Sequence, residues 1–145
     1  MIKGFFERLL GAGDSTASDA DARLALTALL VRVARADFSY DAVEQAQIDK
    51  VISRRYALSS AETEALRQEA ETLEAEAPDT VRFTRAIKDA VPYDERIAVV
   101  QSLWSVVLAD ATRDEHEDAL LRMVANLLGV SDRDSNLARQ RASGA

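Results

Sequence analysis

The 145-residue chain has no cysteine, one histidine, two prolines and five glycines. Without cysteine there are no disulfides, thiolate nucleophiles or Cys-ligated metals, which fits a reducing compartment. With His116 alone, a histidine pair on zinc cannot form within one chain. Long apolar runs are also missing. The longest uncharged stretch, Ile97–Ala109, has 13 residues, short of the roughly 18–20 that a spanning helix needs. The opening "MIKGFFERLL" is too short and too charged for a secretory signal. These absences predict a cytoplasmic protein with no stable membrane insertion. Positive charge is in deficit: the formal net charge is −7 and the pI about 4.7. Nucleic acid is therefore not an expected partner, and the small clusters Arg54-Arg55 and Arg133…Arg139…Arg141 read as aids to solubility or partners of nearby acids.

Helix formers dominate what is present. With 48% hydrophobic and 30% charged residues and few breakers, the composition is that of a globular helical domain. Ile2, Phe5, Phe6, Leu9 and Leu10 share one face of a short amphipathic helix over 1–10. That helix could fold back on the core, bind a partner or touch a membrane surface. Residues 11–21, "GAGDSTASDAD", read as a linker, and 22–145 as the main helical domain. Within it, 23–37 is apolar almost all round, as a central helix would be. Segment 40–59 is amphipathic, with Val43, Ile48, Val51 and Ile52 expected inward. Segment 60–77 is more solvated. A break at Pro78 precedes 80–91, where Phe83 and Ile87 face inward. Pro92 precedes a second central helix, 93–110, which carries the only tryptophan; Trp104, Phe83 and Tyr93 are expected in the core. Segment 113–130 is amphipathic, with Gly129 suited to its C-terminal cap, and 131–142 forms a polar last helix. No stretch alternates as a strand would. The expectation is all-α.

Internal comparison aligns 34–51, "ARADFSYDAVEQAQIDKV", with 107–124, "VLADATRDEHEDALLRMV", at a constant offset of 73 residues. Ala36-Asp37 meets Ala109-Asp110, Asp41 meets Asp114 and Glu44 meets Glu117. Arg23 meets Arg96 upstream, and a one-residue slip brings "ALS" (57–59) against "GVS" (129–131). The repeating unit is an apolar helix ending in Ala-Asp, a turn, then Asp-x-x-Glu opening an amphipathic helix. Two such units predict a compact multi-helix bundle of two pseudo-symmetric helix-turn-helix halves. Asp41 and Asp114 read as N-caps. Glu44 and Glu117 either reach back to close capping boxes or serve as ligands. Asp37 and Asp110 sit where apolar helices end, facing the negative end of the macrodipole. They fill either a local turn role or a cation or partner site.

"RADFSYDAVEQAQI" and "LADATRDEHEDALLRMVANLLGV", with "FTRAIKDAVPYDERIAVVQSLW" between them, resemble the TerB family of tellurite-resistance proteins over about residues 20–140, its stand-alone bacterial branch in particular. The resemblance implies an all-helical bundle with internal pseudo-symmetry and an acidic cluster proposed to bind a divalent cation. It also implies a role in metal-stress or phage-defence systems beside membrane-associated protein partners. Carried onto this chain, it makes Asp37, Glu44, Asp110 and Glu117 the candidate ligands of Ca²⁺ or Mg²⁺, both of which take oxygen donors. Phe38 and Ala111 stand where the family usually has glycine, so a turn of different shape is expected. No second His completes an HExxH motif around His116, and no phosphate-cradling glycine loop or nucleophile elbow is present. No enzyme is predicted. An ion-free scaffold working through its acidic face and N-terminal helix is the other reading.

Overall fold

The computed structural model describes residues 19–37, 40–77, 80–109 and 115–144. Every regular element among them is helical. In chain order these are α1 (Asp19–Ala34), a 3-10 turn (Arg35–Asp37), α2 (Ala42–Tyr56), α3 (Ser60–Glu76), α4 (Val81–Ala90), α5 (Tyr93–Ala109), α6 (Glu115–Leu127) and α7 (Asp132–Ala142). The expected helix over 1–10 lies outside the described residues. α1 begins at Asp19, inside the stretch read as a linker, and Asp21 and Ala22 are already buried.

Two helices carry apolar residues on every face and so cannot lie on a surface. They form the centre. α1 buries Leu24, Leu26, Leu29, Leu30, Val31 and Val33, and α5 buries Val99, Val100, Leu103, Trp104, Val106 and Val107. They pack on each other; α3 and α4 cover α1, while α2 and α7 cover α5. The outer helices contribute narrower stripes: Phe83, Ala86 and Ile87 from α4, Ala70 and Leu73 from α3, Leu121 and Val124 from α6. Tyr93, expected in the core, stands at the surface instead. As the first residue of α5 it lies beyond the central packing; its hydroxyl donates to Asp134 Oδ2 (2.8 Å), and the Arg96 guanidinium lies 5.4 Å from its ring.

One arginine ties three helices together. Arg32 donates from Nε to Glu74 Oε2 (3.0 Å), from Nη1 to Thr80 Oγ1 (3.2 Å), and from Nη2 to the carbonyls of Glu74 (3.1 Å) and Ala77 (2.9 Å). Its guanidinium also lies 5.3 Å from the Phe83 ring. Thus a side chain of α1 bonds carbonyls at the C-terminus of α3, that of Glu74 in addition to its bond from Ala77 N–H (3.3 Å), and it holds the residue from which α4 starts.

The helix ends after α2 and after α6 are built alike. Ala57 (φ 53°) and Gly129 (φ 75°) both adopt the left-handed conformation. Leu58 N–H then donates to Ser53 O (3.0 Å), and Val130 N–H to Ala125 O (2.9 Å), the long-range bond of a Schellman ending. Serine caps the following helix each time: Ser59 accepts from Glu62 N–H and Ser131 from Asp134 N–H, both at 3.1 Å. At Ser59 the box closes, since its N–H donates to Glu62 Oε1 (2.9 Å). Those bonds from Ser59 hold Glu62 below its ordinary carboxylate pKa. A left-handed residue with a Cβ is strained by about 1–2 kcal/mol. Ala57→Gly should therefore raise stability by about 0.5–1 kcal/mol after the entropy cost of glycine. Gly129→Ala should lower it by about 1–2 kcal/mol, since the new Cβ would also stand 3.2 Å from Arg96 Nη1. Shifts of the urea midpoint in opposite directions, at unchanged slope, are the readout.

Candidate functional site

The first acid-bearing turn runs from the end of α1 into α2. Its walls are set by ion pairs with α3. Arg35 Nη1 meets Glu74 Oε1 at 2.6 Å, and the Arg35 guanidinium lies 4.9 Å from the Tyr40 ring. Tyr40 donates its hydroxyl to Glu71 Oε2 at 2.6 Å. Glu71 is held in turn by Arg67 (3.1 Å), which also grips Asp49 of α2 (2.7 Å). Burial, then the hydrogen bond to the Glu71 carboxylate, push the Tyr40 pKa far above its ordinary value, so the phenol stays a donor. Sequence spacing shows only part of this tether: Arg67 and Glu71 are an (i, i+4) pair on α3, whereas Asp49–Arg67, Tyr40–Glu71 and Arg35–Glu74 join residues 18, 31 and 39 apart.

Asp41 occupies the N-cap of α2 in extended conformation (φ −91°, ψ 176°) and accepts from Glu44 N–H at 3.0 Å. That is the capping role expected of it. Glu44 behaves differently from Glu62 of α3. It lies in a fully buried position, 0% exposed, on the same stripe as Ile48 and Ile52. Val43, expected inward, is instead 55% exposed. The helical period explains the exchange: positions 44, 48 and 52 fall on one face, whereas 43 precedes that face by one residue. An apolar side chain has been left outside and a carboxylate placed inside.

Of the four candidate ligands, Glu44 is the one whose side chain is described. Asp37 closes the 3-10 turn, but its side chain lies outside the description, as do Asp110, Asp114 and the side chains of His116 and Glu117. Packing between whole elements is described for both segments. The 35–37 turn packs against α6, the helix on which Glu117 lies, and α2 packs against α5, which leads to Asp110. Gln47 Nε2 to Ser105 Oγ (3.3 Å) is one bond across the second of these contacts. Among the described residues no three acidic or histidine side chains converge as a metal cluster. No described helix is long and apolar enough to cross a membrane.

An all-helical bundle around two apolar central helices, with the buried carboxylate of Glu44 on one of the helices that cover them, defines the class as a helical module. The family is set by comparison: residues 23–140 match tellurite resistance protein TerB, and the chain belongs to the TerB family. No curated protein and no solved structure matches the chain.

Proposed function

We propose that the chain is a non-enzymatic TerB module that binds a hard divalent cation through Asp37, Glu44, Asp110 and Glu117, and through that site engages a protein partner in a metal-stress or tellurite-resistance setting. The observation that carries this reading is the position of Glu44. Taking a carboxylate out of water costs several kcal/mol, and such a group persists where positive charge and hydrogen bonds compensate it. The donors fit the group: carboxylate oxygens, with no sulfur or imidazole needed, suit Ca²⁺ or Mg²⁺. A bound cation would add to the interactions that Glu44 already has in the folded chain and link the two similar halves. The matching helix ends at Ala57 and Gly129, and the matching serine caps, support reading those halves as a duplicated unit.

The experiment is titration of the full chain with Ca²⁺, Mg²⁺ and Mn²⁺ by calorimetry, with melting curves alongside. A site filled to a hundred times its Kd stabilises by about 2.7 kcal/mol, roughly 10 °C for a domain of this size. Glu44→Gln keeps the shape and removes the charge, so it should abolish the heat and the shift. Absence of both from the unmodified chain at millimolar cation would refute cation binding. It would leave an ion-free scaffold, working through its acidic surface and N-terminal segment, as the function.

A further inference from the structure

We propose that a groove between α2, α5 and α7 binds a small anion carrying adjacent phosphoryl groups, as in pyrophosphate or the diphosphate of a nucleotide. This site is separate from the acidic turn. The groove encloses about 490 Å³ and is lined by Lys50, Arg54 and Arg55 of α2 and Arg141 of α7, over a floor that includes Gln101 and Ser105 of α5. Eleven described residues line it and none of these is acidic, on a chain whose net charge is −7. The volume falls within the range of small-ligand sites.

The contrast with the arginines that bridge helices carries the inference. Exposed Arg85, Arg122 and Arg133 likewise have no ion pair with a described residue, but no two of them line the same groove. Arg32 and Arg35 are paired with Glu74, Arg67 with Asp49 and Glu71, and Arg96 with the Leu128 carbonyl (2.7 Å). Lys50, Arg54, Arg55 and Arg141 have no ion pair with any described residue. Arg55 is hydrogen-bonded to Tyr56 and lies 5.8 Å from its ring, a neutral partner that leaves its charge uncompensated. Four like charges around one concavity repel each other, and an acidic chain has ample carboxylates with which to separate them. Cations in a last helical turn complement the macrodipole, which accounts for Arg54, Arg55 and Arg141 singly. It accounts neither for Lys50, in the interior of α2, nor for the meeting of two such helix ends in one acid-free groove.

The chemistry of the walls narrows the ligand. Guanidinium groups grip phosphoryl oxygens in pairs, and lysine adds a point charge. Gln47 and Ser105, hydrogen-bonded to each other on the floor, offer neutral polar contacts. No aromatic residue is among the described residues that line the groove, so none of these offers a surface on which a base would stack. The phosphoryl groups are therefore the recognised part, and an attached nucleoside should add little.

The test is calorimetric titration of the full chain with inorganic pyrophosphate, ADP and inorganic phosphate, in chelator-treated buffer so that the outcome is independent of the cation site. Pyrophosphate and ADP should bind with similar affinity, and phosphate at least tenfold more weakly. The double variant Arg54→Gln/Arg141→Gln alters two exposed side chains. It should weaken pyrophosphate binding at least tenfold while the melting temperature stays unchanged. Arg85→Gln/Arg133→Gln, an equal loss of exposed charge outside the groove, should leave affinity unchanged within about a factor of two. No pyrophosphate binding at millimolar concentration overturns the proposal, as does equal weakening by both double variants. ADP binding much tighter than pyrophosphate would overturn the claim that the phosphoryl groups are what is recognised.

Discussion

Arg32→Ala should destabilise the fold by about 2–4 kcal/mol, because it removes the donor of four hydrogen bonds at once. The loss would come mainly from what is left behind. The carbonyls of Glu74 and Ala77 and the hydroxyl of Thr80 lose the guanidinium, and Glu74, whose side chain is only 12% exposed, keeps Arg35 as its remaining cation. That retained pair is why the figure stays below the cost of stranding a wholly buried charge. Arg32→Lys should recover less than half of the loss, since one ammonium cannot span acceptors on both α3 and Thr80. Equilibrium urea unfolding measures both. A loss under about 0.5 kcal/mol for Arg32→Ala, within the range of ordinary surface changes, would show that the clamp contributes nothing beyond packing.

Phe83→Ala should cost about 3–5 kcal/mol. The ring is fully buried in α4 and lies beneath the Arg32 guanidinium. Truncation leaves a cavity that the rigid centre around α1 can fill only in part. Because the two side chains touch, their effects should not add: the Arg32→Ala/Phe83→Ala double variant should lose less than the summed single losses, by about 0.5–3 kcal/mol. Strict additivity would mean that the stacked contact carries no energy.

The helical class, the order of elements and the two central helices could be read from the chain because each is a local property. Apolar residues on every face mark α1 and α5; Asp41 and Gly129 mark an end of α2 and of α6 through backbone rules that involve only neighbours. Hydrophobicity and geometry disagree at two residues. Val43 is apolar but stands outward, since Ile48 and Ile52 set a stripe that passes through Glu44. Tyr93 is aromatic but stands at the very start of its helix, beyond the central packing. What joins distant segments was not legible. Arg32 reaches Glu74 and Thr80 across more than forty residues, and Arg54 meets Arg141 only because α2 and α7 both lie on α5. Residues that read as scattered surface charge become a concentrated field once the helices are laid side by side.

The sole tryptophan is where such a field can be watched. Trp104 is nearly inaccessible, donates its indole N–H to Ser135 Oγ of α7 (3.2 Å) and lies 6.0 Å from the Arg139 guanidinium. All indole emission from this chain thus originates at the seam between α5 and α7, two of the three helices that form the basic groove. The molecule carries a built-in optical gauge: displacement of α7 would change the colour and quenching of its light, with no dye attached.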